Sequence, residues 1–148
     1  MADIRRLQFG DEAIAKEMFA MMVAVFDEDE PDGEPLRDED VAALLRREDF
    51  WAVVATEGHQ IVGGLTAHAL PMTRSRSTEL FIYDLAVRVD RQRRGVGRAL
   101  VEALIALGRQ AGIDVAFVPA ENEDEHALEF YRAIGGVPSA VTFFTFSQ

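Results

Sequence analysis

Apolar positions recur along this chain with two different periods, and the switches between them mark out its elements. Ile4-Arg5-Arg6-Leu7-Gln8 reads as a short first strand. From Asp11 to Phe26, Ile14, Met18, Met22, Val25 and Phe26 recur at helical spacing. Pro31, Gly33 and Pro35 then break the helix and predict a loop from Asp27 to Leu36. A second helix is predicted from Asp38, read as its N-cap, through Val41, Leu44 and Leu45. Phe50 to Thr56 is an apolar strand, turned at Glu57-Gly58-His59-Gln60 into another from Ile61 to Leu70. After a polar stretch from Pro71 to Ser77, Glu79 to Val87 carries apolar side chains on both faces, as a central strand does. In it Phe81, Tyr83, Leu85 and Val87 alternate with Leu80, Ile82, Asp84 and Ala86. Gly95 to Gly112 is a helix with Val96, Leu100, Leu104, Leu107 and Ala111 as its apolar stripe. Ile113 to Pro119 reads as a strand, and Glu125 to Ile134 as a helix stopped by Gly135-Gly136. Ala140 to Phe146 closes the chain as a last strand.

The order β-α-α-β-β-β-α-β-α-β predicts a mixed α/β fold, one sheet with helices on both faces. Strand, glycine loop, helix and strand from Phe81 to Val118 have the length of a crossover unit. With 148 residues, no repeat and no linker, a single domain over 1–148 is expected. No apolar run approaches the roughly 20 residues that span a bilayer. The start, Met1-Ala2-Asp3-Ile4-Arg5-Arg6, lacks the pattern of a signal peptide. The absence of Cys excludes disulfides, thiolate metal sites and a Cys nucleophile. His59, His68 and His126 have no metal-site spacing, and read as a turn, a strand and an early-helix residue. A cytoplasmic protein without a metal is the simplest expectation.

Net charge narrows the partners. At −11 the chain lacks the basic surface that nucleic-acid binding needs, and its field favours a cationic ligand or merely keeps the protein soluble. The distribution says more than the sum. Arg91, Arg93, Arg94 and Arg98 crowd together, while Asp27 to Glu39 is strongly acidic.

The basic cluster surrounds Gln92-Arg93-Arg94-Gly95-Val96-Gly97, between a predicted strand and a predicted helix. Amides at a helix N-terminus have no intrahelical acceptor, and the positive end of the helix dipole lies behind them. Gly95 and Gly97 clear side chains from where an anion would approach the backbone. Arg93, Arg94 and Arg98 can add charge to that cradle. No Gly-Lys-Ser/Thr ends the loop, so it is not a Walker loop, and Leu100 stands where a dinucleotide fingerprint wants a third Gly. An Arg-rich turn capping a surface helix would look similar.

At these residues the sequence resembles the GCN5-related N-acetyltransferases (GNAT), whose signature is Gln/Arg-x-x-Gly-x-Gly/Ala; Gln92, Gly95 and Gly97 match it. The resemblance extends over almost the whole chain. It implies the GNAT fold and acetyl-CoA as acetyl donor, its pyrophosphate held on the loop amides around Val96 and its pantetheine arm on Leu85, Ala86 and Val87. It also implies a bulge that splays that strand from the next, and a pantetheine contact from Asn122. Phe81-Ile82-Tyr83-Asp84-Leu85-Ala86-Val87 and the Arg-rich loop narrow the likeness to the small gentamicin-type aminoglycoside 3-N-acetyltransferases. Gly63-Gly64-Leu65, Ala69-Leu70-Pro71 and Leu128-x-x-Tyr131 add to it. Close relatives of this type are often homodimers, and Val141 to Phe146 could pair across a two-fold interface or belong to the core.

Acetyl transfer to an amine requires a base for the ammonium and a proton donor for the departing thiolate. Asp84, a carboxylate within an apolar strand, is costly there unless it meets a partner or a cationic ligand, which makes it the candidate base. Strand alternation places it on the opposite face from Tyr83 and Leu85. Tyr131 matches the family's Tyr beside the CoA sulfur and is the candidate acid. Glu79 and Glu121 are lesser candidates for the base. Two acidic loops, Asp27-Glu28-Asp29-Glu30 with Asp32 and Glu34, and Glu121 to Glu125, Asp124 among them, could surround a polycationic substrate, or simply be solvated surface. An aminoglycoside 3-amino group is the expected acceptor. The alternatives are another small amine, such as a polyamine or amino sugar, and a non-catalytic acyl-CoA sensor.

Overall fold

A computed structural model describes residues 2–26 and 33–148. The chain runs β1 (Asp3–Arg6), α1 (Glu12–Phe26), α2 (Asp38–Arg46), β2 (Phe50–Glu57), β3 (Gln60–Pro71) and β4 (Thr78–Val87). A single turn of 3-10 helix (Val89–Arg91), α3 (Val96–Gln110), β5 (Val115–Phe117) and α4 (Glu125–Ala133) complete the order. These elements divide into two compact units, Met1–Val118 and Pro119–Gln148.

In the first unit the five strands lie in the order β1-β2-β3-β4-β5. Neighbours are antiparallel except the last pair, where β4 and β5 run parallel. A parallel neighbour needs a crossover, and α3 supplies it. On one face Ala15, Met18 and Met22 of α1 and Val41 and Leu45 of α2 pack over Phe50, Ala52, Val54 and Ala86. On the other, α3 turns buried Val96, Leu100 and Leu104 towards the sheet. The expected mixed sheet with helices on both faces is therefore present.

Two adjacent glycines in β3 set how closely those layers approach. Side chains of successive strand residues point to opposite faces, so Gly63 and Gly64 each open one side. A Cβ on Gly63 would lie 3.0 Å from Val96 Cγ1 and 3.1 Å from Leu100 Cδ1 of α3. A Cβ on Gly64 would lie 2.5 Å from Cγ of Met18 in α1, and Met18 is fully buried. Gly64→Ala is therefore expected to cost about 1–3 kcal/mol by overpacking, seen as a lower urea midpoint with an unchanged slope. An unchanged midpoint would show that α1 moves freely away from the sheet.

Several predicted boundaries shift for local reasons. Arg37, not Asp38, caps α2: it is extended, and the Asp40 carboxylate reaches back to accept its backbone N–H at 2.8 Å. Asp38 is instead the first helical residue and pairs with Lys16 of α1. The strand expected from Ile113 to Pro119 contracts to Val115–Phe117, because β4 offers it only Glu79, Leu80 and Phe81 as ladder partners. The predicted loop residues Asp27 to Asp32 lie outside the described residues.

In the second unit Asp124 caps α4 by accepting the Ala127 N–H at 3.0 Å, and Gly135 ends the helix with φ of 102°. Residues 137–148 have no regular structure. The closing strand expected from Ala140 to Phe146 is not formed, and Val141, Phe143, Phe144 and Phe146 are exposed. A strand exists only with a ladder partner, and the adjacent pair Phe143-Phe144 departs from the alternation that would give the segment one buried face.

Candidate functional site

The glycine loop is built by contacts at both ends. Arg91 Nε donates to Glu57 Oε2 at the end of β2, at 3.0 Å. The Gln92 side-chain amide donates to the Val87 carbonyl, also at 3.0 Å, tying the loop to the last residue of β4. Gln92 thus acts here as a clamp on the loop. Between these anchors the chain must reverse sharply into α3, and it does so through two left-handed residues, Arg93 (φ 64°) and Gly95 (φ 84°). Glycine takes this conformation readily. Arg93 is the only non-glycine to adopt it among the described residues, at a cost on the order of 1 kcal/mol or more, a kind of strain that clusters at ligand clamps.

α3 has no side-chain cap and no acidic residue in its first turn, whereas α1, α2 and α4 all begin with acidic residues. The first amide to close into the helix is that of Ala99, on the Gly95 carbonyl at 3.0 Å. The amides of Val96, Gly97 and Arg98 come before it, with the positive end of the dipole behind them. Val96 itself is buried against Gly63, which holds the helix end in place. Arg93 and Arg94 are exposed and make no ion pair among the described residues. Arg98 is also exposed, but its Nε already meets Glu102 at 2.7 Å, an exchangeable surface pair.

The second part of the site is β4. Leu85, Ala86 and Val87 pair with Leu65, Gly64 and Gly63 of β3, while the ladder to β5 stops at Phe81. From Ile82 onward the other edge of β4 has no ladder partner among the described residues. The register against β3 also shifts between Thr66 and Ala67: Asp84 faces Thr66, Ile82 faces Ala67, and Tyr83 is the extra residue of a bulge.

That bulge overturns one expectation. Thr66, His68 and Leu70 share one face of β3, and their partners are Asp84, Phe81 and Glu79. The Tyr83 ring lies 5.8 Å from that of His68 and 6.0 Å from that of Phe81. Tyr83 and Asp84 therefore lie on the same face, not on opposite ones, because the extra residue interrupts the period of two. Phe50, 5.5 Å from His68, and Phe117, 4.9 Å from Phe81, extend this row of rings across four strands. Asp84 and Glu79 are half-buried beside it. Periodicity and motif alone do not show that His68, Phe81, Tyr83 and Phe117 come together in one row of rings; the Phe81 and Tyr83 pair within β4 is the one local hint.

In the second unit, Tyr131 is half-buried on α4, and its carbonyl accepts the Gly136 N–H at 2.8 Å. Burial pushes its phenol pKa up, and the negative charge of Asp124 adds to the effect. The phenol is thus a proton-bearing donor at neutral pH. Glu121 and Asn122 are exposed in the turn before α4, and Asp124 is engaged as its cap. Asp27, Glu28, Asp29 and Glu30 lie outside the described residues. Among the described residues no cluster of ligands could hold a metal ion, and no helix is long and apolar enough to cross a membrane.

The model of the acetyltransferase (GNAT) family matches residues 14–135. The chain belongs to this family. Solved structures agree with the assignment. An aminoglycoside acetyltransferase, meta-AAC0020, from an uncultured soil metagenomic sample was solved in complex with sisomicin. It is 30% identical, with a TM-score of 0.94 over 99% of this chain and 96% of its own. A second such enzyme, HMB0005, also from an uncultured soil metagenomic sample, is 32% identical, with a TM-score of 0.92 over 100% and 99% of the two chains. AAC(6')-Iy, in complex with the bisubstrate analogue CoA-S-monomethyl-acetylneamine, shares the fold at 16% identity and a TM-score of 0.80, over 100% of both chains. No curated protein matches the sequence significantly.

As a GNAT acetyltransferase the protein takes its acetyl group from acetyl-CoA. The residues present fit that donor. A pyrophosphate needs amides without acceptors, a nearby positive charge and no competing carboxylate, and the start of α3 with Arg93 and Arg94 provides all three.

Proposed function

We propose that the protein N-acetylates an aminoglycoside at its 3-amino group, acting as one GNAT domain over residues 1–148. The observation that carries this reading is the bulge in β4. It sets Asp84 on the same face as the rings of Tyr83 and Phe81 and as Glu79, on the strand that leads into the proposed anion-binding end of α3. An acidic, aromatic surface next to an acetyl donor suits a cationic amine. The two relatives at 30% and 32% identity, both aminoglycoside acetyltransferases, support the substrate class. The likeness of Phe81 to Val87 to the 3-N-acetylating type favours position 3. A family match that runs through Val118 and Pro119 favours a single functional domain.

In this reading the amides of Val96, Gly97 and Arg98, with Arg93 and Arg94, hold the pyrophosphate, and backbone groups of Leu85, Ala86 and Val87 orient the pantetheine arm; Asn122 is assigned a further contact to that arm. Bound acetyl-CoA supplies an activated acetyl thioester. Asp84 draws in the acceptor ammonium and takes its proton, leaving a neutral amine free to attack directly. Tyr131 holds a proton for the departing sulfur. The carboxylates of Glu79, Glu121, Asp124, Asp27, Glu28, Asp29 and Glu30 are assigned to the remaining positive groups of the acceptor. A homodimer and a cytoplasmic location complete the proposal. The exposed apolar side chains from Val141 to Phe146 support the first, and the need for acetyl-CoA supports the second.

A thiol-release assay with acetyl-CoA and gentamicin-like, kanamycin-like, polyamine and amino-sugar acceptors tests the reading. Turnover is expected on the aminoglycosides, with the new acetyl group located on the 3-nitrogen by NMR of the product. Preference for a polyamine or amino sugar would redirect the substrate, and acetyl-CoA binding without turnover on any amine would leave a sensor.

A further inference from the structure

We propose that the face of the Tyr83 ring seats a second ammonium group of the acceptor, so that this site selects compact polyamines over monoamines. The inference rests on the acetyltransferase reading above and names what its acceptor must carry. Tyr83 is the extra residue of the β4 bulge, and it is 64% exposed in a strand where Ile82 and Ala86 are buried. Bulges next to active sites re-aim side chains, and here the re-aimed one is an aromatic ring presented to solvent. It is not loose. His68 meets it at an interplanar angle of 76° and Phe81 at 33°, so two rings fix its orientation.

The surroundings favour a cation. Asp84 is the next residue along and shares the face, as does Glu79 two residues beyond Phe81, and both are half-buried. Carboxylates on either side make the local field negative, and the face of an aromatic ring attracts ammonium through its quadrupole. An acceptor whose reacting ammonium lies at Asp84 would place an amine from the same ring system over Tyr83. A monoamine would leave that seat empty. An apolar ligand would gain the ring contact but nothing from the two carboxylates.

The test uses Tyr83→Leu, which keeps an apolar side chain but removes the π face, and Tyr83→Phe, which keeps the face without the hydroxyl. Both should melt with the wild type, since the residue is exposed. With a gentamicin-like acceptor, Tyr83→Leu is expected to raise the acceptor KM about threefold to thirtyfold. Its kcat should stay within about threefold and its KM for acetyl-CoA should not change; Tyr83→Phe should retain the wild-type KM. An unchanged acceptor KM in Tyr83→Leu overturns the proposal. So does an equal rise in Tyr83→Phe, which would assign the effect to the hydroxyl. Should the wild type acetylate no amine, the functional reading fails by itself. Calorimetric binding of the same polyamine to wild type and Tyr83→Leu then still decides the seat: weaker binding to the variant supports it, and equal or absent binding removes it.

Discussion

Asp84→Asn is expected to lower turnover about 10²- to 10⁴-fold, the range a positioned general base contributes, while acetyl-CoA binds as before. The substitution keeps the shape of the side chain and removes its charge and basicity. Asp84 is half-buried on the face of β4 shared with Tyr83, Phe81 and Glu79, whereas the proposed seat of the donor's phosphates is the start of α3. The two affinities should therefore separate: thiol release falls, and calorimetric binding of acetyl-CoA does not. The dependence on pH gives a second readout. If Asp84 takes the proton from the acceptor ammonium, the variant must wait for amine that is already neutral. That fraction grows as pH rises towards the amine pKa, so the deficit should shrink with increasing pH. A deficit constant with pH would assign Asp84 to binding alone, and an unchanged rate would move the base to Glu79 or Glu121.

How much of the fold and site is legible in the sequence depends on how local each signal is. The period of 3.6 in Asp11 to Phe26 and in Gly95 to Gly112 marks both helices to within a residue or two, because an amphipathic stripe is written in consecutive residues. The glycine loop is equally readable: Gly95 takes the left-handed turn, and the lack of a cap shows in the side chains around it. Pairing is not readable. The bulge at Tyr83 exists because β3 and β4 differ in length between matched residues, and no alternation count within β4 alone contains that fact. The same holds for the closing strand expected at Ala140 to Phe146, where strand-like composition does not guarantee a ladder partner. The cap of α2 escapes a reading by residue type for a subtler reason. Asp38 is a good N-cap residue by type, but Asp40 two positions later bonds back to Arg37 and moves the helix start by one.

Tyr131→Phe removes only the phenolic oxygen, and is expected to reduce kcat roughly tenfold to a hundredfold, at the low end of what a positioned acid supplies. KM for acetyl-CoA should hardly change, since in the proposed reaction the hydroxyl acts only when the sulfur departs. The direction of the pKa decides how the two enzymes compare across pH. Burial raises the phenol pKa first and the Asp124 charge raises it further, so the proton stays on Tyr131 throughout the neutral range. The wild-type rate should accordingly show no loss from Tyr131 ionisation near neutrality, only a fall well into alkaline pH, and Tyr131→Phe should lack that fall. Asp124→Asn separates the two causes. Asn caps a helix about as well as Asp, so the bond to the Ala127 N–H survives while the charge disappears. The alkaline limb of the rate profile should then move to lower pH, since one of the two influences holding the proton has gone. A limb that stays in place in Asp124→Asn, and persists in Tyr131→Phe, would show that a different group donates the proton to the thiolate.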